Sequence, residues 1–155
     1  MVVQTERFGP IEAPEEKLIR LQKPILGFEG CATFFLVEQD EFRPFLWLQS
    51  ADRPDLAFIV INPLLVRPDY RIEVHAEEVR DLEITSLRQV ETYVIVTVPE
   101  NPRDISVNLQ GPIVINRGNN FAKQLVLVNS SYSVRHRLLP AADEEPVRER
   151  ETVEV

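Results

Sequence analysis

The sequence predicts an all-β domain, and three observations carry that reading. Its middle holds two runs of aromatic and aliphatic residues, Phe45 to Ser50 and Leu56 to Ile61, joined by a polar segment with Pro54 between Asp52 and Asp55, the pattern of two strands and their turn. Twelve prolines against five glycines leave few windows long enough for an amphipathic helix of ordinary length. Strand-like runs outnumber helical ones by roughly eight to one.

The central hairpin is expected to be internal and to stop at Asn62-Pro63. Trp47, the single tryptophan, is expected to anchor the core, since a residue of this kind buries roughly 150–250 Å². Upstream, Val2 to Phe8 reads as a first strand closed by a turn at Gly9-Pro10, and Lys17 to Leu21 as a second strand. Phe28-Glu29-Gly30-Cys31 turns the chain. Thr33 to Glu38 follows, with Phe34-Phe35-Leu36-Val37 too continuously apolar to have one face in water, so it is placed between layers.

Beyond the hairpin, Leu64-Leu65-Val66 reads as a helical turn, and Tyr70 to Val74 alternates as a half-exposed strand. His75 to Glu83 lacks proline and spaces Val79 and Leu82 three apart, which predicts the one short helix, over 76–83. Val90 to Val98 is β-branched and predicts a long strand ended by Pro99. Ile105 to Leu109 and Ile113 to Asn116 continue the pattern around a bend at Gly111-Pro112, Gly118 to Asn120 turns, and Gln124 to Val128 closes it. From Asn129 the character changes. Residues 141–155 carry six acids against two bases, a net charge of −4. Such a segment buries too little apolar surface to offset its ordering entropy, so disorder is expected from about 141. The expected organisation is one body over 1–129 and a C-terminal extension over 130–155.

With 155 residues, 44% of them hydrophobic, the chain suits one domain with a proper core. Its formal net charge of −8, with no basic patch, disfavours direct nucleic-acid binding and favours a basic protein partner. A lone cysteine excludes an internal disulfide and suits a reducing compartment. The N-terminus lacks a basic-then-apolar leader, and no apolar run reaches ~18 residues. A cytoplasmic protein, off the membrane and monomeric, is expected.

Signs of chemistry are sparse. His75 and His136 have no Cys, His or carboxylate at metal-ligand spacing; His75 opens the predicted helix, and His136, between Arg135 and Arg137, reads as a solvated residue near the tail. Cys31 reads as a small buried hydrophobe rather than a reactive thiol. Acid pairs such as Glu15-Glu16, Asp40-Glu41 and Glu77-Glu78 are expected by chance in a chain with 25 acids. No catalytic, metal or cofactor residue is assigned, and the expectation is a protein that is not an enzyme. Asn62, Asn108 and Asn116 end apolar runs, where an asparagine either satisfies backbone groups at a turn or rims a binding surface.

A succession of motifs then adds to the residue reading. Phe8-Gly9, Gly27-Phe28-Glu29, Trp47-Leu48-Gln49-Ser50, Pro54-Asp55-Leu56-Ala57-Phe58, Pro68-Asp69-Tyr70, Val96-Thr97-Val98-Pro99, Asn108-Leu109 and Pro112-Ile113-Val114-Ile115-Asn116 occur in this order. Together they resemble the flagellar assembly factor FliW family, from about residue 3 to about residue 128. The resemblance implies a compact, barrel-like, antiparallel β-fold. It implies a cytoplasmic, non-enzymatic factor that binds flagellin and, when free, binds the RNA-binding repressor CsrA and keeps it off the flagellin message. The motif neighbourhoods supply Phe28, Glu29, Asn62, Pro63, Asp69, Tyr70, Asn108 and Asn116 as partner-binding candidates. Two departures stand out: Gln22-Lys23-Pro24-Ile25-Leu26 replaces a usual Pro and Gly pattern, and Gly111 stands where an alanine is usual. The rival readings are a small-ligand-binding β-barrel or enzyme, and a purely structural subunit. The apolar strands, which leave few polar residues to line a cavity, favour a filled core.

Overall fold

The computed structural model describes residues 1–128 and 130–139; the segment expected to be disordered lies outside them. Eleven strands are present among the described residues: β1 (Val2–Thr5), β2 (Gly9–Glu12), β3 (Ile19–Leu21), β4 (Thr33–Val37), β5 (Leu46–Ser50), β6 (Ala57–Ile61), β7 (Val90–Thr97), β8 (Ser106–Val107), β9 (Ile113–Asn116), β10 (Phe121–Gln124) and β11 (His136–Arg137). β7, β6, β5, β4, β3, β10 and β9 are hydrogen-bonded in that order, and β9 pairs back onto β7. Seven strands thus close a barrel. β8 and β11 extend it beside the C-terminal half of β7, and β1–β2 form a separate hairpin.

The central hairpin holds its predicted place, with Trp47 opposite Ile59 and Leu48 opposite Phe58. Alternation then sorts side chains onto two faces. Ile19, Leu21, Phe34, Leu48, Val60, Ile113, Ile115 and Ala122, with Tyr93 and Ile95 of β7, form one cluster that draws on every strand of the ring and fills its interior. Their neighbours in sequence face outward into two further layers. Phe35 packs under the β1–β2 hairpin with Val3, Ala13 and Leu18. Ile61, Val94, Val96, Val107 and Val114 are covered by Tyr70, Leu82, Leu109, Leu125 and Leu127. Cys31 is buried in the interior cluster, as expected.

Several expectations need correction. Trp47 is not a core anchor: it sits half-buried on the outer side of β5, edge-on to Phe8 (5.8 Å) and Phe42 (6.4 Å), with the Arg7 guanidinium 4.2 Å from its ring centre. The first turn is at Glu6–Phe8, so Gly9-Pro10 opens β2 instead of closing β1. Gly9 takes φ 70°, as a residue without a Cβ readily can. Tyr70 to Val74 is extended and alternates in burial but joins no strand ladder, because the outer face it covers is a layer of side chains. The last barrel strand is Phe121–Gln124, and residues 125–127 fall outside it. β3 and β10 pair parallel, which departs from an all-antiparallel barrel. The helix is present at Ala76–Leu82 but is 3₁₀ in type, which suits the spacing of Val79 and Leu82, since residues three apart eclipse in that helix. His136 lies half-buried in β11, opposite Val107, and Leu138 packs on the outer layer; the sheet thus continues into the segment assigned to the C-terminal extension.

Candidate functional site: a groove on the outer face of the barrel

The chain leaves β6 at Ile61 and returns to the sheet at Val90. Between them it crosses the outer face as short 3₁₀ turns and extended stretches. Asn62 starts the crossing: its Oδ1 accepts from the Leu64 N–H (2.9 Å) and caps the turn Pro63–Leu65. The buried Tyr70 hydroxyl donates to the Leu109 carbonyl (2.7 Å), and burial holds its pKa well above the usual tyrosine range. Asn116 Nδ2 donates to the Leu82 (2.9 Å) and Glu83 (3.2 Å) carbonyls, tying the end of the 3₁₀ helix to β9.

A groove of about 650 Å³ remains where this crossing does not seal against the sheet. Pro63, Leu64, Ile72, Val79, Ile84, Leu87, Val114 and Leu125 give it an apolar lining, and Asn62, Tyr70 and the whole stretch from Val90 to Tyr93 complete it. Leu87 is 82% and Leu64 51% exposed. Glu91 accepts from the Tyr93 hydroxyl (3.0 Å); burial first, and the Glu91 charge second, push the Tyr93 pKa up to about 12.

One wall of this groove is a strand edge. The Arg117 N–H donates to the Gln89 carbonyl (2.8 Å) and the Asn108 N–H to the Ile95 carbonyl (3.0 Å). Antiparallel residues alternate in which neighbour they bond. Glu91 and Tyr93 therefore bond toward β9, while Val90, Thr92, Val94 and Val96 present their N–H and C=O groups to the other side. There Val94 and Val96 meet Ile61 and Ile59, but β6 has ended before Thr92 and Val90. The Val90 N–H instead donates to the Leu87 carbonyl, closing the 3₁₀ turn Leu87–Gln89, and among the described residues Thr92 has no ladder partner on that side.

Of the sequence candidates, Asn62, Pro63 and Tyr70 line this groove. Asn116 braces its rim through Leu82 and Glu83, and Asp69 is exposed beside it, paired with Arg67 (3.0 Å). Asn108 shapes the turn between β8 and β9, its Oδ1 accepting from Gln110 and Gly111 N–H groups (3.1 and 3.0 Å). A Cβ at Gly111 would stand 2.8 Å from Asn108 Nδ2, so an alanine there requires that amide to shift. Phe28 and Glu29 lie elsewhere, on the β3–β4 turn: Phe28 is edge-on to Phe58 (5.1 Å), and the exposed Glu29 accepts from the Gly27 N–H (3.3 Å). Leu64, Ile84, Leu87, Val90 and Thr92 escaped the sequence reading. No signal in the sequence marked them, since the groove depends on how far β6 runs beside β7 and on the path of the crossing between the two strands.

Among the described residues, no group of three or more His, Cys, Asp or Glu is placed to hold a metal ion, and no helix is long and apolar enough to cross a membrane. The arrangement offers an apolar, partly exposed surface of a kind that another protein can cover.

Comparison with known proteins bears on whose surface this is. The family model described as "FliW protein" matches residues 2–138. The chain belongs to the FliW family. Flagellar assembly factor FliW of Heliobacterium modesticaldum is 42% identical over 142 residues, covering 92% of this chain and 93% of that one. The FliW of Leptospira interrogans is 38% identical over 141 residues, covering 90% and 94%. A crystal structure of the flagellar assembly factor FliW superposes with a TM-score of 0.84 at 36% identity, covering 92% of this chain and 99% of that chain. The all-β barrel anticipated from the motif succession is thus the FliW fold, and the family match runs on through β11.

Proposed function

We propose that this FliW-family chain is a non-enzymatic cytoplasmic regulator that binds flagellin and, when free of it, holds CsrA off the flagellin message. The observation that carries the reading is a FliW barrel whose interior is filled by its own side chains while its outer face keeps an apolar groove with Leu64 and Leu87 exposed. A filled barrel has no central cavity for a small ligand, whereas an exposed apolar groove is how a rigid scaffold meets another protein. The net charge of −8 supports the second partner, since a repressor that holds RNA is itself basic.

Two partners on one small body are expected to interfere. Titrating the CsrA complex with flagellin should release CsrA or weaken it, through overlap or through a coupling that is reciprocal in free energy. A stable ternary complex with unchanged affinities would overturn this. Raising salt should slow CsrA association more than flagellin association, because charge attraction is screened within ~8 Å at physiological ionic strength. Equal salt slopes would remove the electrostatic part of the reading.

A further inference from the structure

A separate pocket, sharing no residue with the groove, carries the inference furthest. It measures about 230 Å³, lies where the Glu6–Phe8 turn meets the turn between β5 and β6, and is lined by Glu6, Arg7, Gln49, Pro54, Asp55 and Ala57. Four of these come from two motif runs that the groove leaves unused, Trp47–Ser50 and Pro54–Phe58. We propose that this pocket receives the ammonium group of one lysine of the basic protein partner. The inference rests on the reading of the chain as a CsrA-binding regulator and names a contact by which that recognition is made.

Gln49 forms the floor. Its side chain is fully buried, and its Nε2 shares its donors among the carbonyls of Ser50 (3.0 Å), Leu56 (3.1 Å) and Pro54 (3.3 Å). Turning the amide over would set its oxygen against three carbonyl oxygens, so the orientation is fixed. The nitrogen is spent on the turn. What Gln49 offers the pocket is Oε1, a buried acceptor without a partner among the described residues. Leaving such an acceptor unmet is costly, so the site calls for a donor.

The walls decide which donor. The Glu6 N–H donates to the Pro54 carbonyl (2.9 Å), which joins the two turns and holds Glu6 at the pocket. No ion pair engages the Glu6 carboxylate among the described residues. Asp55 accepts from Arg53 through Oδ1 (3.2 Å) and Oδ2 (2.9 Å) and keeps further lone pairs. The Arg7 guanidinium is drawn onto the Trp47 ring, 4.2 Å from its centre. An ammonium carries three donors on one compact head, matching Gln49 Oε1 and one oxygen from each carboxylate, while its methylene stem passes Pro54 and Ala57. A guanidinium fits less well, because it takes a carboxylate edge-on and Asp55 already gives that edge to Arg53. Glu6 and Asp55 are exposed, so a donor reaches the floor by moving side chains that face solvent. The net charge of −8 draws a lysine-bearing partner to this surface.

Binding kinetics of the full-length chain with CsrA test this. Glu6→Gln alters an exposed side chain and should weaken binding by about tenfold, chiefly through faster dissociation; a charge that only steers encounter would act on association instead. Replacing the lysines of CsrA one at a time by methionine should find one with the same loss, and that loss should add little to the loss from Glu6→Gln. Gln49→Met removes the buried acceptor and should match both. A Glu6→Gln chain that dissociates at the parent's rate overturns the proposal, and so do losses that add for every lysine, whether or not Gln49→Met folds. The pocket then holds water only, and the functional reading stands. Failure of CsrA to bind the parent chain defeats that reading and the proposal with it.

Discussion

β7 is covered on both faces, but by different kinds of structure. Inside the barrel, Tyr93 and Ile95 meet side chains delivered by six other strands, each fixed in register by a hydrogen-bonded ladder. Outside, Val94 and Val96 meet Tyr70, Leu82, Leu109, Leu125 and Leu127, which stand on 3₁₀ turns and extended chain. That outer layer is held by a few side-chain bonds, chiefly Tyr70 to Leu109, Asn116 to Leu82 and Glu83, and Lys123 to the Glu78 carbonyl and Asp81. A ladder leaves no room between strands, whereas a cover pinned at separate points leaves gaps. The groove lies in the outer layer for that reason. The barrel supplies rigidity, and the cover supplies surface that a partner can use.

The largest expected effect separates the two sides by deleting one aromatic from each. Phe34 is fully buried and packs against Phe58 at 6.1 Å, so Phe34→Ala should cost about 3–5 kcal/mol in urea unfolding, a large part of an ordinary domain's stability. Trp47→Ala removes a bigger ring from the outer side of β5, where it is only half-buried, and should cost less by about 1 kcal/mol or more. Equal losses would mean that Phe8, Arg7 and Trp47 form a packing unit as integral as the interior.

The same division explains what was legible in the sequence. β-Branched and aromatic runs announced nearly every barrel strand, because residues buried on both faces of a sheet leave an unbroken apolar signal, as Phe34-Phe35 and Val94 to Val96 do. Tyr70 to Val74 was misread for a physical reason: alternation reports that one side of an extended chain is buried, not that its main chain is paired. Trp47 was misplaced because size measures how much a residue can bury, while register decides which face receives it. Asn62 and Asn116 were legible as turn-makers, and both cap or brace main chain here. The groove itself was hidden, since it depends on how far β6 runs beside β7.

Asn116 offers a smaller and more local break. Its side chain is 3% exposed and joins β9 to the end of the 3₁₀ helix. Asn116→Ala leaves two carbonyls and the Gly118 N–H without this partner, which should cost about 1–3 kcal/mol. The signature should be regional: amides between 76 and 87 exchange faster, while those of β4 and β5 follow only the global loss. Uniform acceleration across the chain would show that cover and barrel unfold as one unit.

The smallest effect at neutral pH, and the finest test of the two faces, comes from their tyrosines. Tyr93 turns toward the interior side, where burial and then the Glu91 charge raise its pKa from 10.0 to about 12. Tyr70 lies in the outer layer, its pKa raised by burial and then by Tyr132. A tyrosine whose folded pKa is raised favours the folded state fully below the unfolded value. As pH climbs past about 10 the unfolded chain releases that proton first, so stability is lost progressively toward the folded pKa. Unfolding free energy should therefore fall between pH 10 and about 12 for Tyr93, and the fall should continue beyond that range for Tyr70. Tyr93→Phe and Tyr70→Phe each remove one contribution, so the parent curve should flatten in two separable parts. Each variant should differ from the parent at pH 7 by only about 0.5–1.5 kcal/mol, the net worth of one hydroxyl hydrogen bond. A Tyr70→Phe chain with the parent's alkaline profile would show that the outer layer opens before its tyrosine ionises, which would make the cover the weaker of the two faces in a way the neutral-pH variants do not reveal.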